Sequence, residues 1–335
     1  MSLMLMKTLV PTFLVGIVAL SFPGGAGAAN NVEKVDESPL IWRDPGNIAA
    51  RDLFYGAGGK SRQPRGKFTF VEEDLEGLNT KFVVRDQDGS DWKVKLGPES
   101  RAETAATRLI WAVGYFTDED YLVPVLRVAN MPRLRRGQSH ISPDGSMRNA
   151  RMERRPGDAT KVGYWKWRRV PTTRELNGLK VLIALVNNWD LKDSNNAIYA
   201  LPNSPDQIYL VSDVGAVFGV TGFAVRAKKS DVDTYMRSKF IRKVTPEYVN
   251  FQTPSRPKML SLMVVPHFIQ YITHLDRRSF NKNIPREDAK WIGQLLSRLS
   301  PRQIRSAFEA AGYSPAEIEG FSRVIETRIA QLMEL

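Results

Sequence analysis

One ten-residue segment places the strongest constraint on the fold. The polar sequence NNWDLKDSNN, residues 187 to 196, separates the apolar run VLIALV from the strand-like run AIYAL. A polar loop between two segments that both have the composition of buried elements is unusual. A surface turn explains its composition. A set of ligands for a metal ion and a phosphate explains its position as well, and the remaining sequence favours the second interpretation.

The elements around this loop predict an α+β fold. Residues 67 to 96 form three strand-sized runs with the hairpin signal DQDGSD, which predicts three consecutive antiparallel strands. A helix follows, with Pro98 at its first position and Gly114 at its end. A second helix precedes the polar loop, and a two-strand hairpin ending in SDVG follows it.

The last segment, residues 285 to 335, predicts three amphipathic helices. Two of them begin with Ser-Pro followed by a capping-box residue, Ser300 with Gln303 and Ser314 with Glu317. These helices complete a chain order of strands, helix, strands, helix, polar loop, hairpin and helices.

This order supplies the parts that phosphoryl transfer from a nucleotide requires. The reaction needs a lysine on the phosphates, an acid that holds the lysine, an acceptor for the substrate proton and oxygen ligands for magnesium. In chain order the candidates are Lys95 on the third strand, Glu103 on the next helix, Asp190 and Asn195 in the loop, and Asp213 after the hairpin.

The loop resembles the catalytic loop of the protein-kinase-like fold. Asp190-Leu191-Lys192 followed by Asn195 matches Asp-Leu-Lys-x-x-Asn, and VSDVG takes the place of the metal-binding Asp-Phe-Gly segment. Asn188-Trp189 replaces His-Arg, and the glycine-rich loop motif and Ala-Pro-Glu are missing. With these departures the sequence more closely resembles three atypical groups: phosphatidylinositol kinases, bacterial HipA-type toxin kinases, and the secreted spore-coat and secretory-pathway kinases.

The resemblance covers roughly residues 67 to 220 and implies a bilobal architecture. Residues 67–130 are the expected N-lobe, an antiparallel sheet with one helix. Residues 131–335 are the expected helical C-lobe, with a basic insert at 131–170 and the C-terminal helices at 285–335.

The resemblance also implies a role for each candidate residue. Mg-ATP binds between the lobes, with Mn²⁺ as the alternative metal. Lys95, held by Glu103, contacts the inner phosphates. Asn195 and Asp213 bind the metal, Asp190 accepts the proton of the acceptor hydroxyl, and Lys192 offsets charge on the transferred group. Two alternatives remain open at this point: Glu99 can replace Glu103 as the partner of Lys95, and Lys192 can be an ordinary solvated charge.

Net charge indicates an anionic partner. The chain carries +12, and residues 133 to 169 contain eleven Lys or Arg against three acids. This basic segment, within which NARMERR and VGYWKWRRV are predicted to pair as a hairpin, favours an acidic or phosphate-bearing substrate. Nucleic acid is disfavoured as a partner because no nucleic-acid-binding signature accompanies the charge.

The N-terminus predicts export. Residues 1–28 combine Lys7, a short apolar run and Ala26-x-Ala28, the pattern of a cleaved secretory signal, with an uncleaved anchor as the alternative. A periplasmic or secreted location follows, with no transmembrane span after signal removal. The absence of cysteine excludes thiol catalysis and thiolate zinc sites.

Residues 29–66 predict an extended N-terminal arm. Its YGAGGKS stretch is not a P-loop, because Phe54 stands where that motif needs its first glycine.

The sequence thus predicts an exported atypical kinase that transfers a phosphoryl group from Mg-ATP to the hydroxyl of a protein, lipid or sugar. An inactive pseudokinase that acts as an extracytoplasmic binding or scaffold module is the alternative from another class. Nucleotidyl transfer on the same fold is a third hypothesis.

Overall fold

A computed structural model describes residues 40–76, 79–219, 229–252 and 280–335. The predicted signal peptide at 1–28 and the first part of the arm, residues 29 to 39, lie outside the described residues.

The first structural unit along the chain is a six-stranded sheet with strand order β4-β6-β3-β2-β1-β5. Its strands are β1 (Phe68–Asp74), β2 (Thr80–Asp86), β3 (Asp91–Leu96), β4 (Glu119–Leu126), β5 (Val128–Ala129) and β6 (Met147–Arg154). The first three pair as an antiparallel meander, as the sequence predicted. Alternation buries Trp92 and Val94 on one side of β3, and leaves Lys93 and Lys95 on the other.

The hairpin predicted within the basic segment is wrong. NARMERR belongs to β6, which pairs with β3 and β4 in the first sheet. The residues of VGYWKWRRV that form a strand belong to β7 (Thr160–Gly163), which pairs with β8 instead. The physical reason is burial, because Ala150 and Met152 alternate into the apolar cluster under the sheet. The first sheet therefore includes a strand from the segment assigned to the basic insert.

Helix α1 (Glu99–Ala112) connects the sheet with the helical part of the chain. It starts directly after β3, with Glu99 in its first turn, and the chain leaves it through Gly114 at a φ of 100°. Ala102, Ala105 and Leu109 are fully buried. The helix contacts β3, β4 and β6 as well as a C-terminal helix, so its position fixes any side chain that points from it toward the sheet.

The polar loop lies between α2 (Arg174–Leu185) and a hairpin, as predicted. Thr173 caps α2 by accepting a hydrogen bond from the Leu176 amide, and the apolar run that follows is fully buried. The hairpin consists of β8 (Asn196–Ala200) and β9 (Gln207–Val211), and with β7 it forms a three-stranded sheet. Buried elements thus hold both ends of the loop.

The remaining described elements are mostly helical. They are α3 (Val232–Met236), β10 (Ile241–Val244), β11 (Tyr248–Phe251), β12 (Ile284–Pro285), α4 (Arg286–Leu296), α5 (Pro301–Ala310) and α6 (Pro315–Met333). Both predicted capping boxes, at Ser300 and Ser314, are present. The helices share one apolar core with α1 and α2. The fold is mixed α+β, and none of the helices in these described ranges has the length and hydropathy needed to cross a bilayer.

The described part of the arm, residues 40 to 66, packs along other elements. Trp42 Nε1 donates to the carbonyl of Val113 at the end of α1 (2.7 Å), and Gln303 of α5 donates to the carbonyl of Ile48 (2.9 Å). Within YGAGGKS, the carbonyl of Gly59 accepts from the Tyr121 hydroxyl (2.9 Å). This stretch therefore has a structural role beside the sheet, in agreement with its rejection as a P-loop.

Candidate active site

Lys95 is the centre of a buried charge cluster. Its Nζ atom lies 2.8 Å from Glu103 Oε2, 2.9 Å from Glu99 Oε2 and 2.6 Å from Asp213 Oδ1. Only 5% of Lys95 is exposed. Burial alone would lower the pKa of Lys95, but the three carboxylates raise it above its usual range, so the ammonium stays charged. We call these four residues the Lys95 cluster.

Helix α1 supplies two of the acids in the Lys95 cluster. Glu99 and Glu103 are four residues apart on one face of α1, so both carboxylates reach the lysine on the preceding strand. The choice that the sequence left open between them is resolved because both bind Lys95. Burial raises the pKa of Glu103 above its usual range, while Arg151 and Lys95 favour the charged carboxylate. The pKa of Glu99 is lowered overall, since Lys95 and Lys229 outweigh its burial.

Asp213 reaches Lys95 from 118 residues further along the chain. It has a φ of 53°, and its side chain is 43% exposed, so one end of the Lys95 cluster is open to solvent. Gly215 explains the close approach of this segment to α1, because a Cβ there would lie 2.8 Å from the Cβ of Glu99. Partial burial would raise the pKa of Asp213, but the ammonium of Lys95 outweighs it and the pKa is lowered.

The predicted catalytic loop has its own internal bonds. Asn195 Nδ2 donates to the carbonyl of Asp190 (3.0 Å), and the Asp190 amide donates to Asn188 Oδ1 (3.0 Å). Lys192 Nζ lies 2.9 Å from Asp190 Oδ2, so Lys192 is paired rather than simply solvated. These bonds restrain the backbone of the loop at Asp190 and the side chains of Asp190 and Asn195.

Two other polar residues of the loop serve local structure, although Asn196, which the sequence suggested as a turn residue, is the buried first residue of β8. Asp193 begins a short 3-10 turn, Asp193–Asn195. Asn196 Nδ2 donates to the carbonyl of Trp165 (3.1 Å).

The loop and the Lys95 cluster are adjacent. The Ser212 amide donates to the carbonyl of Asn195 (2.7 Å), which joins the loop to the residue before Asp213. Lys192 is close enough to contribute to the lowered pKa of Asp213. The structure therefore brings the six sequence-predicted residues into one region: Lys95, Glu103, Asp190, Lys192, Asn195 and Asp213.

The donor set fits a hard divalent cation. Asp213 offers carboxylate oxygens. Asn195, whose Nδ2 is used by Asp190, has its amide oxygen on the other side of the group. Magnesium commonly binds one or two such protein oxygens and completes its shell with phosphate oxygens and water. No group of three or more His, Cys, Asp or Glu in the described ranges could hold a metal by itself.

A cavity of about 840 Å³ lies next to this region, between the six-stranded sheet and β8. Val83 and Lys93 line it from the sheet, and Tyr199 lines it from β8. Asp118, at the cavity wall, accepts a hydrogen bond from Ser212 Oγ (3.0 Å), which connects the cavity to Asp213. Burial raises the pKa of Asp118 to about 7. The size is that of small-molecule sites.

A second charge cluster lies on the other side of Glu103. Asp120 is completely buried and bonds Arg108 Nη1 (2.5 Å), Arg151 Nε (2.8 Å) and Thr107 Oγ1 (2.9 Å). Arg151 Nη2 also lies 3.6 Å from Glu103 Oε1. We call Arg108, Asp120 and Arg151 the Asp120 cluster.

The sequence reasoning missed three residues near the site. Arg151 was counted with the substrate-attracting charges of the basic segment, yet it is 1% exposed and so cannot serve there. The sequence did contain a signal for its position in a strand, because the apolar residues Ala150 and Met152 flank it in an alternating pattern. Neither Asp118 nor Lys229 belongs to a sequence motif that points to the site. Lys229 reaches it through its Nζ atom, which pairs with Glu99. Most other cations of the segment, such as Arg133 and Lys161, are exposed.

The comparisons with known proteins give a likeness to solved structures. No family model matches the chain, and no curated protein matches it. Among solved structures, it is similar to a Helicobacter pylori proinflammatory kinase, CtkA, with a TM-score of 0.44 and 11% sequence identity. The match covers 81% of this chain and 96% of that chain.

Proposed function

We propose that this protein is an atypical kinase that transfers a phosphoryl group from Mg-ATP to a hydroxyl acceptor. The observation that carries the proposal is the convergence of Lys95 from β3, Glu103 from α1 and Asp213 from beyond β9, beside a loop that contains Asp190 and Asn195. Phosphoryl transfer depends mainly on positioning and electrostatic stabilisation, and these groups have the types that both require.

The contacts support a division of roles. Magnesium held by Asp213 and Asn195 would neutralise phosphate charge when bound. Asp213 would then exchange its contact with Lys95 for the metal, and the ammonium of Lys95 would turn to the phosphates while Glu99 and Glu103 keep it charged. Asp190 would accept the proton of the acceptor hydroxyl, and Lys192, now paired with Asp190, would stabilise charge on the moving group.

The cavity is the proposed position of the nucleotide. Val83 and Tyr199 line it from two different sheets, and an aliphatic and an aromatic side chain suit contact with a planar base. Export through residues 1–28, the acidic or phosphate-bearing acceptor and a periplasmic or secreted location are parts of the same proposal, with exposed cations of the segment 133–169 as the acceptor-attracting surface.

Incubation of the full chain with Mg-ATP tests the proposal. We expect release of γ-phosphate to water or an increase in intact mass by phosphoryl groups, and we expect Asp213→Ala to lose both. An increase by adenylyl groups would assign nucleotidyl transfer instead. Full retention of transfer by Asp213→Ala contradicts the assignment of the metal site.

An inactive binding module is the second candidate. One observation favours it: Lys95 has three carboxylate partners without any nucleotide, so its charge is already compensated. The open end of the Lys95 cluster at Asp213, next to a cavity of nucleotide size, favours the kinase over the scaffold.

A further inference from the structure

Arg151 and Lys95 lie directly opposite each other on neighbouring antiparallel strands. Cross-strand neighbours of this kind have their Cβ atoms about 4.5–5.5 Å apart, and like charges at such positions are destabilising. Both side chains are almost completely buried, so solvent screens the repulsion poorly. The arrangement therefore needs an anion between the two cations.

Glu103 is that anion. Its Oε2 atom bonds Lys95 Nζ at 2.8 Å, and its Oε1 atom lies 3.6 Å from Arg151 Nη2. The terminal torsion of a glutamate is broad and roughly two-fold, so one contact leaves the orientation of the carboxylate loosely defined. A cation at each oxygen fixes that orientation and offsets the cost of burying the charge.

Arg151 is itself held in place. Its Nε atom bonds Asp120 Oδ2 at 2.8 Å, and Nη1 bonds Glu153 of the same strand. Asp120 is fixed in turn by Arg108 and Thr107 of α1. A continuous series of alternating charges thus runs from the Asp120 cluster through Arg151 and Glu103 to Lys95.

We propose that Arg151 is a positioning residue of the active site: it fixes the Glu103 carboxylate so that Glu103 stays bonded to Lys95 before any nucleotide enters. The importance of this bond for catalysis rests on the proposed function. The fixed geometry does not. The consequence is that the protein's own side chains orient the ammonium of Lys95.

The test is the rate at which an amine-specific acylating reagent labels Lys95 in the full chain without nucleotide, read by mass spectrometry of the peptide. We expect slow labelling in the wild type. Arg151→Gln and Glu103→Gln should each accelerate it about tenfold, and the double variant should be no faster than Glu103→Gln alone, since Arg151 acts through Glu103. Arg148→Gln, an exposed arginine on the same strand, should label at the wild-type rate.

Two outcomes overturn the proposal. One is wild-type labelling in a folded Arg151→Gln variant. The other is a double variant whose acceleration is the product of the two single effects, which would show that Arg151 acts independently of Glu103. If Arg151→Gln does not fold, Arg151→Lys decides, because a single ammonium that pairs with the fully buried Asp120 leaves Glu103 without its second cation. Faster labelling of Lys95 in Arg151→Lys supports the role, and the wild-type rate excludes it.

A measurement of activity distinguishes failure of this inference from failure of the proposed function. If the wild type turns over Mg-ATP, Arg151→Lys should lower kcat by about tenfold with a smaller change in KM. The reason is that the Lys95 ammonium, which would act on the transferring phosphates, is no longer held in place. If the wild type does not turn over Mg-ATP, the proposed function fails, while the labelling rates still decide the role of Arg151.

Discussion

Helix α1 contributes side chains to two charge clusters that differ in their exposure to solvent. In the Asp120 cluster, the acid is completely buried and its partners come from α1 and β6. In the Lys95 cluster, one acid, Asp213, is 43% exposed at the side chain and lies near a cavity. A closed cluster leaves no charged group open to a ligand. An open cluster can exchange one of its ion pairs for a ligand, which makes it the candidate for chemistry.

The largest expected effect concerns the closed cluster. Asp120→Ala leaves Arg108 and Arg151 without their shared carboxylate in a buried environment. Breaking a buried ion pair in this way costs about 3–5 kcal/mol, a large part of the stability of most domains. Urea denaturation followed by circular dichroism measures the loss. A comparable loss for Asp213→Ala would remove the distinction between the clusters, because an acid at the open end should cost much less.

The next effect concerns catalysis beside the open cluster. Asp190→Asn keeps the size of the side chain and removes the carboxylate that would accept the acceptor proton, and general base catalysis contributes about 100- to 10,000-fold. We expect a loss of transfer in that range, with little change in stability. Asp193→Asn, in the same loop, is the control and should keep most of the activity. Equal losses for Asp190→Asn and Asp193→Asn would contradict the assignment of catalysis to Asp190 and of local structure to Asp193.

The smallest expected effect is a pH dependence of stability that arises from Asp118. This residue accepts a hydrogen bond from Ser212, next to Asp213, and the charge of Asp120 contributes to its raised pKa. Burial raises the pKa of Asp118 to about 7 from an ordinary value of 3.8. The folded state therefore keeps a proton that the unfolded chain has lost, and the contribution of Asp118 to stability falls as pH rises from about 4 to about 7.

Asp118→Asn removes this dependence. Relative to the wild type, its free energy of unfolding should be larger, and the variant therefore more stable, at pH 8 than at pH 5. Asp74→Asn is a matched control, because lysines lower the pKa of Asp74 to about 2 despite its partial burial, so that Asp74 is charged at both pH values. A pH-independent difference for Asp118→Asn would show that its carboxyl is ionised throughout.

The sequence predicted the Lys95 cluster and the loop beside it better than the Asp120 cluster, and the reason is physical. Lys95, Asp190, Asn195 and Asp213 lie at element ends whose order along the chain is set by strand and helix patterns, so a motif could point to them. The mixed α+β fold, the β1–β3 meander and both capping boxes followed from the same local patterns. The kinase-like lobes and the roles within the site remain predictions.

What the sequence could not supply is long-range pairing. The strand β6 lies between β3 and β4 because Ala150 and Met152 fill the core under the sheet. No local pattern states which strand it will join. Arg151 therefore appeared as one more charge of a basic segment, although the sheet places it opposite Lys95. Likewise, two acids at helical spacing both reach Lys95, and the sequence alone offered no reason to expect more than one.

The central claim, that the Lys95 cluster and the adjacent cavity bind nucleotide with metal, is tested most directly by thermal unfolding of the full chain with Mg-ATP. A ligand at one hundred times its dissociation constant adds about 2.7 kcal/mol to the stability of the folded state. We predict stabilisation by ATP that increases when magnesium is present, and loss of the magnesium-dependent part in Asp213→Ala. Unfolding of the wild type at the same temperature with and without millimolar Mg-ATP would contradict the account.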